Sequence, residues 1–331
     1  MNDTDILLLS IIVAIIPTLL YVGLIYWVDR YEKEPWWLLT AAFFWGAVPS
    51  ILIAYIFNSF LSIPLYALAG AEAGDALAAS FIAPPVEETV KGLVLVLIFL
   101  RWRHEIDSPL DGIIYGAMVG MGFGMVENVY YFVHTYAEGG LEAWSINVFV
   151  RSILFGLNHA LFSSMTGLGI AIARMSNQPL LRFVAPVAGW FTAMFLHFLH
   201  NFTVSFGNLL CVAALIFDWG GVALTLVIIV WALIQERQWL RQYLVEEVGS
   251  GILTLRQYET ACSGRKRNSH RWQMLLSRGL KPYWQLSRFY YRCSELAYKK
   301  HHFTLFADDH SSQLIAEIRQ ELATLSRAII L

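Results

Sequence analysis

Apolar residues in this chain come in long unbroken blocks, each about the length of a bilayer crossing. Windows of about 20 apolar residues predict seven spanning helices, at 5–28, 36–58, 76–100, 110–136, 147–173, 181–207 and 209–234. The fold class predicted is therefore all-α, a polytopic membrane helical bundle with about seven transmembrane helices. Near residue 236 the pattern changes to a charged segment. There Leu314, Ile315, Ile318, Leu322 and Leu325 recur at helical spacing after Asp308-Asp309, which predicts an amphipathic helix over 312–329. The chain thus divides into a transmembrane domain, 1–235, and a mainly helical C-terminal region, 236–331.

Composition agrees with that division. The chain is 57% hydrophobic and 15% charged, where a soluble protein carries about 25% charged residues. The N-terminus, MNDTD, is acidic where a cleavable signal peptide is basic, and the first apolar run is long enough to span. Loop charges predict the orientation. Arg30, Lys33, Arg101, Arg103, Arg174 and Arg182 fall in alternate loops, and the loops between them carry almost no Lys or Arg apart from Arg151. The N-terminus is then outside and the C-terminal region cytoplasmic. Residues 236–331 hold 15 Lys/Arg and 9 Asp/Glu, a net charge of +6, which leaves −8 for the remainder of a chain whose total is −2. A basic region below a membrane is expected to rest near anionic headgroups, so the bilayer is the expected partner and nucleic acid is not. Cys211, Cys262 and Cys293 share no metal-type spacing, and no disulfide is expected in a reducing compartment.

Against this background the informative residues are the polar groups inside the apolar runs. An acid or lysine at a helix centre costs roughly 2.5–3.5 kcal/mol on insertion scales. The third run places Glu87, Glu88 and Lys91 together after Pro84-Pro85. Glu87 and Lys91 are four apart and are expected to pair, which leaves Glu88 as the freer acid. The proline pair is expected to break the helix. In the fourth run Gly112, Gly116, Gly120 and Gly124 form one stripe for close helix contact, followed by Glu127 and Asn128. The fifth carries His159, and the sixth carries His197, His200 and Asn201. Counted from the outer ends of their runs, Glu87, Glu127, His159 and His197 all lie about 14–18 Å deep, which predicts a single layer near mid-bilayer.

Two acids and two imidazoles at one depth suit water activation. A desolvated glutamate can act as general base, and His or Asn can donate to an oxyanion. One Glu with two His, here Glu88, His159 and His197, is equally a divalent-metal shell with room for water. No HExxH occurs, so a conventional zincin is excluded. A proton- or ion-coupled transporter would use the same groups. It calls for inverted repeats with matching broken helices, and the chain shows one Pro-Pro break without a second copy.

Glu87-Glu88-xx-Lys91, the block from Asp111-Gly112 through Tyr115-Gly116 and Gly120-x-Gly122-Phe123 to Glu127-Asn128, His159, and His197-xxx-Asn201 resemble the motifs of the PrsW family of intramembrane proteases. The early loop Asp29-Arg30-Tyr31-Glu32-Lys33-Glu34-Pro35 is similar to that family as well, so the resemblance spans roughly 20–205. It implies catalytic glutamates at Glu87 and Glu88, with Glu127, His159 and His197 completing the site. Asn201 would orient or donate to the oxyanion, with Lys91, Asn128 and His200 in support. It further implies a bacterial-type plasma membrane and membrane-anchored protein substrates such as anti-sigma factors. The family leans to metallopeptidase, implying a divalent metal such as zinc, while the wider superfamily includes members without a metal.

Overall fold

The computed structural model describes residues 2–206, 209–307 and 309–329, and among these the chain is helical almost throughout, with no strand. Thirteen α-helices follow one another: α1 Asp3–Val28, α2 Trp36–Trp45, α3 Ile51–Ala69, α4 Ala71–Leu77, α5 Ala83–Arg101, α6 Pro109–Phe149, α7 Asn158–Met175, α8 Pro179–Ser205, α9 Leu209–Gly249, α10 Leu255–Ala261, α11 Gly264–Arg278, α12 Leu280–Phe306 and α13 Asp309–Ala328. Helices long and apolar enough to cross a membrane occupy Asp3–Val28, Trp36–Ala69, Pro109–Met175, Pro179–Ser205 and Leu210–Gly249. α5 is also of spanning length, but Glu87, Glu88 and Lys91 interrupt its apolar character.

Two compact units result. The first comprises Met1–Val28, Glu34–Arg174 and Gln178–Ile228; the second comprises Asp29–Lys33, Met175–Asn177 and Ile229–Leu331. In the first unit α6 is the central element. α1 packs on it through a small-residue face, Ser10, Ala14 and Thr18 at successive fourth positions, and Trp144 donates from Nε1 to Ser10 Oγ at 3.0 Å. The glycine stripe of α6 faces α7. A Cβ at Gly116 would collide with the Ser163 carbonyl, and one at Gly120 with that of His159. Small residues are therefore what bring His159 against α6. The start of α6 is capped by Ser108, whose Oγ accepts from Asp111 N at 3.4 Å and Leu110 N at 3.2 Å, while Asp111 returns a bond to Ser108 N at 2.6 Å. Tyr115, from the same block, donates its hydroxyl to buried Glu34. Gly140 takes φ 68°, a left-handed conformation suited to glycine, and it bends α6.

The proline pair behaves differently from the expected break. The chain stays helical, with a π-helical turn at Ala78–Ile82 running into Pro84 and Pro85 in the first turn of α5. The wider turn absorbs the missing N–H groups. The Ala79 carbonyl in that turn accepts from Asn201 Nδ2 of α8 at 2.8 Å. Similar π-helical turns occur at Gly46–Ser50 and Val150–Leu154.

In the second unit α10 to α13 and the end of α9 enclose a core of Leu240, Leu244, Leu286, Phe289, Tyr290 and Leu296. α13 packs into it through Ile315, Ile318 and Leu322, so the amphipathic helix finds its partner within the C-terminal region; Asp308 lies outside the described residues. Tyr31 from the first loop joins this core, and its carbonyl accepts from Arg267 Nη1 at 3.0 Å and Ser294 Oγ at 2.7 Å. Arg267 is fully buried and also donates to the Ala261 carbonyl at 2.6 Å.

Candidate active site

α5 supplies three ionisable groups on one buried surface. Lys91 Nζ lies 2.8 Å from Glu88 Oε1 and 3.6 Å from Glu87 Oε2, so the ammonium sits closer to Glu88 than to the expected partner Glu87. A spacing of three residues shares a helix face as well as one of four does. The ammonium is drawn to that side by His159 Nδ1 at 3.2 Å and by the Phe123 ring, whose centroid is 3.7 Å away. Glu88 is then fully engaged: Oε1 also meets His197 Nδ1 at 3.0 Å, and Oε2 accepts from Ser163 Oγ at 3.0 Å. Glu87 is the more open acid. Its Oε1 accepts from Asn58 Nδ2 at 3.3 Å, while Oε2 is buried without a hydrogen bond, 3.9 Å from His197 Nε2.

The glycine stripe sets α7 beside α6, and Glu127 meets His159 across that contact. Glu127 Oε2 lies 2.9 Å from His159 Nε2 and also accepts from Arg151 Nη2. Arg151, in the π-helical turn before α7, donates from Nε to Asn128 Oδ1 at 2.8 Å and stacks over Tyr131, 4.0 Å from the ring centroid. One guanidinium thereby clamps both polar residues that follow the glycine stripe. Glu127 Oε1 has no hydrogen bond among the described residues.

α8 brings the second imidazole. His197 is buried, stacked on Phe162 with centroids 4.9 Å apart, and edge-on to His159 at 5.2 Å. His200 turns to a different partner: Nδ1 lies 2.7 Å from Asp218 Oδ2 on α9, and that oxygen also accepts from Asn158 Nδ2 at 2.9 Å. Reading the sequence missed Asp218, although it is the only charged residue in the apolar run 209–234, and treated Arg151 solely as a loop charge.

These groups surround a cavity of about 710 Å³ whose wall includes Glu87, Glu127, His159, His197, His200 and Asn201. Glu88 and Lys91 lie behind that wall. Glu87, His159 and His197 each offer a ligand atom, all within 4.8 Å of one another, close enough for small side-chain shifts to bring them onto one metal ion. The expected ligand set contained Glu88; the carboxylate presented beside the two imidazoles is that of Glu87. Oε2 of Glu87, buried with no hydrogen bond and with the Lys91 ammonium at 3.6 Å as an ionic neighbour, fits a cation-holding role.

Comparisons with known proteins identify the family. Residues 34–234 match the model of the PrsW family intramembrane metalloproteases. Curated relatives named Protease PrsW include those of Geobacillus kaustophilus, 31% identical over 46% of this chain and 62% of the relative, and Bacillus subtilis, 29% identical over 49% and 68%. A third, from Clostridioides difficile, is 29% identical over 47% of this chain and 62% of its own length. The chain thus spans a little over six tenths of the length of the first curated relatives it matches. No solved structure matches it significantly, and nothing in the comparisons supports a transporter. By the family match over residues 34–234, most of its length, the chain belongs to the PrsW family of intramembrane metalloproteases.

Proposed function

We propose that the protein is an intramembrane endopeptidase that hydrolyses peptide bonds of membrane-anchored proteins, regulatory anti-sigma-type factors among them, at the Glu87–His159–His197 centre. The observation that carries this reading is the Glu87 Oε2 atom, buried without a hydrogen bond and facing an imidazole. Leaving a buried acceptor unsatisfied costs about 1–3 kcal/mol, and more for a charged one. An atom held open at that cost is suited to a cation or a reacting water.

Glu87, His159 and His197 would hold a divalent cation, and one carboxylate with two imidazoles suits zinc. When bound, such an ion supplies polarisation of the scissile carbonyl and of the attacking water. The chain's own residues do the rest. Glu88 accepts from His197 Nδ1 at 3.0 Å, which turns Nε2 towards Glu87, and Ser163 and Lys91 fix Glu88 in turn. Glu127, on the cavity wall with Oε1 free of hydrogen bonds among the described residues, takes the proton of the attacking water and returns it to the leaving amine. Asn201 holds the turn that precedes Glu87. A metal-free glutamate mechanism is the second reading. It is favoured by Lys91 Nζ, 3.6 Å from Glu87 Oε2, which already brings positive charge to the same point.

The site lies within a 1–235 protease domain of seven spans. The long stretch Pro109–Met175 holds two of them, parted at Gly140, and α5 is a further one whose charges face protein. The loop charges place the N-terminus outside and the basic 236–331 region in the cytoplasm of a bacterial-type cell. The test is cleavage of a membrane-anchored reporter by purified, reconstituted protein. Glu88→Gln and His197→Ala should both lose activity, and wild-type rates in both would remove the assignment. Bound-metal analysis, and loss of cleavage with a chelator restored by zinc, select the metal reading; activity that persists in metal-free protein selects the glutamate one.

A further inference from the structure

The helical hairpin α11–α12 lies outside the region matched by the family and has a surface that nothing in the protease site uses. At its turn, Gly279 takes φ 85°, and large apolar side chains stand out on both sides: Trp272 is 59% exposed, Leu276 83%, Leu280 66% and Trp284 67%. α12 buries Leu286, Phe289 and Tyr290 in the core, so these exposed residues are additional to the packed face. The charge is equally one-sided. Residues 260–294 contain eight Lys or Arg and no Asp or Glu. Arg267 is buried, and Arg288 and Arg292 pair with Glu321, at 2.6 and 2.8 Å. Arg265, Arg278 and Lys281 are exposed and make no ion pair among the described residues.

Exposed tryptophan and leucine beside unpaired cations, with no acid in the segment, are complementary to a surface with anionic phosphates above hydrocarbon. A basic nucleic-acid site has no use for two exposed leucines at a turn, and an acidic protein partner would meet the cations but not the leucine tip. We infer that the α11–α12 hairpin is an interfacial anchor that seats Trp272, Leu276, Leu280 and Trp284 in the anionic lipid surface of the bilayer, with Arg278 and Lys281 on its phosphates. The protein would then hold the membrane by this hairpin as well as by its spans. The inference does not depend on the protease reading.

The test uses the full chain in vesicles. In a Cys211→Ser background, where the remaining thiols Cys262 and Cys293 are buried, Leu276→Cys is labelled with an environment-sensitive fluorophore. Vesicles of phosphatidylcholine are compared with vesicles carrying about 30% phosphatidylglycerol, a leaflet of strongly negative surface potential. The expected result is blue-shifted emission and quenching by headgroup-level nitroxide lipid in the anionic vesicles. Quenching should weaken at high salt and fall more than about fivefold on Arg278→Glu with Lys281→Glu, the scale expected for losing headgroup-bound cations. Amide exchange of residues 264–290 in the unlabelled wild type gives a second readout, with slower exchange expected in the anionic bilayer. A water-like label and unchanged exchange in both compositions would overturn the inference. So would protection that appears only when a soluble protein is added.

Discussion

At the scale of single residues, the site is a buried network of paired charges in which Glu87 Oε2 has an ionic neighbour, Lys91, but no hydrogen bond. Removing one member of a buried ion pair leaves the other uncompensated, at about 3–5 kcal/mol. Lys91→Met alone should therefore destabilise the protein strongly, whereas Lys91→Met with Glu88→Leu should recover much of the stability without recovering cleavage. Thermal unfolding in detergent, set beside reporter cleavage, checks both halves. Arg151→Lys exchanges a fork that binds Glu127 and Asn128 for a point charge, and reporter cleavage should fall about 10-fold or more with little change in unfolding temperature. Equal rates for Arg151→Lys and wild type would show that the clamp plays no part. Glu87, Glu88, Glu127, His159 and His197 were legible in the sequence because charge and imidazole inside apolar runs are costly. Which glutamate oxygen stays open was not legible, since that depends on how Lys91 divides itself between positions three and four residues away. Asp218 could have been found by the same cost argument.

At the scale of elements, the glycine stripe of α6 decides where His159 stands. Gly120→Ala puts a methyl group against the His159 carbonyl, and overpacking of this kind costs typically 1–3 kcal/mol. The variant should unfold at lower temperature and cleave more slowly than a control substitution at an exposed position of α5, such as Leu100→Ala. The helices themselves were readable from apolar run length, and the stripe from its spacing of four. The π-helical turns were not, because they arise from tertiary fit: the one at Ala78–Ile82 reconciles Pro84-Pro85 with a continuous helix and hands a carbonyl to Asn201. Proline alone suggested a break. In the C-terminal region the helical period of α13 was legible, while its packing face against α12 required the fold.

At the scale of the whole molecule, the C-terminal region has its own core, and its thiols report on it. Burial pushes the Cys262 thiol up to about 11 and the Cys293 thiol up to about 12. Both should resist a water-soluble maleimide at pH 7 until the protein is denatured. The unfolded thiols lose their protons above about pH 8.5 while the folded ones keep theirs. The unfolded state then binds fewer protons, so this unit should lose stability as pH rises from about 8.5 towards the folded values. Circular dichroism melts across alkaline pH, compared with a Cys262→Ala, Cys293→Ala variant of shallower dependence, follow that loss.

The claim that joins these scales is that Glu87, rather than the fully bonded Glu88, presents the working carboxylate to the cavity. Its most direct test is the rate at which reconstituted Glu87→Gln protein cleaves a membrane-anchored reporter, measured beside its thermal unfolding. The account predicts a loss of at least about 100-fold with near wild-type unfolding temperature, because Glu87 makes one long hydrogen bond, to Asn58 at 3.3 Å, which Gln can keep, and Glu88 at 2.8 Å still compensates Lys91. Cleavage by Glu87→Gln at the wild-type rate would contradict it.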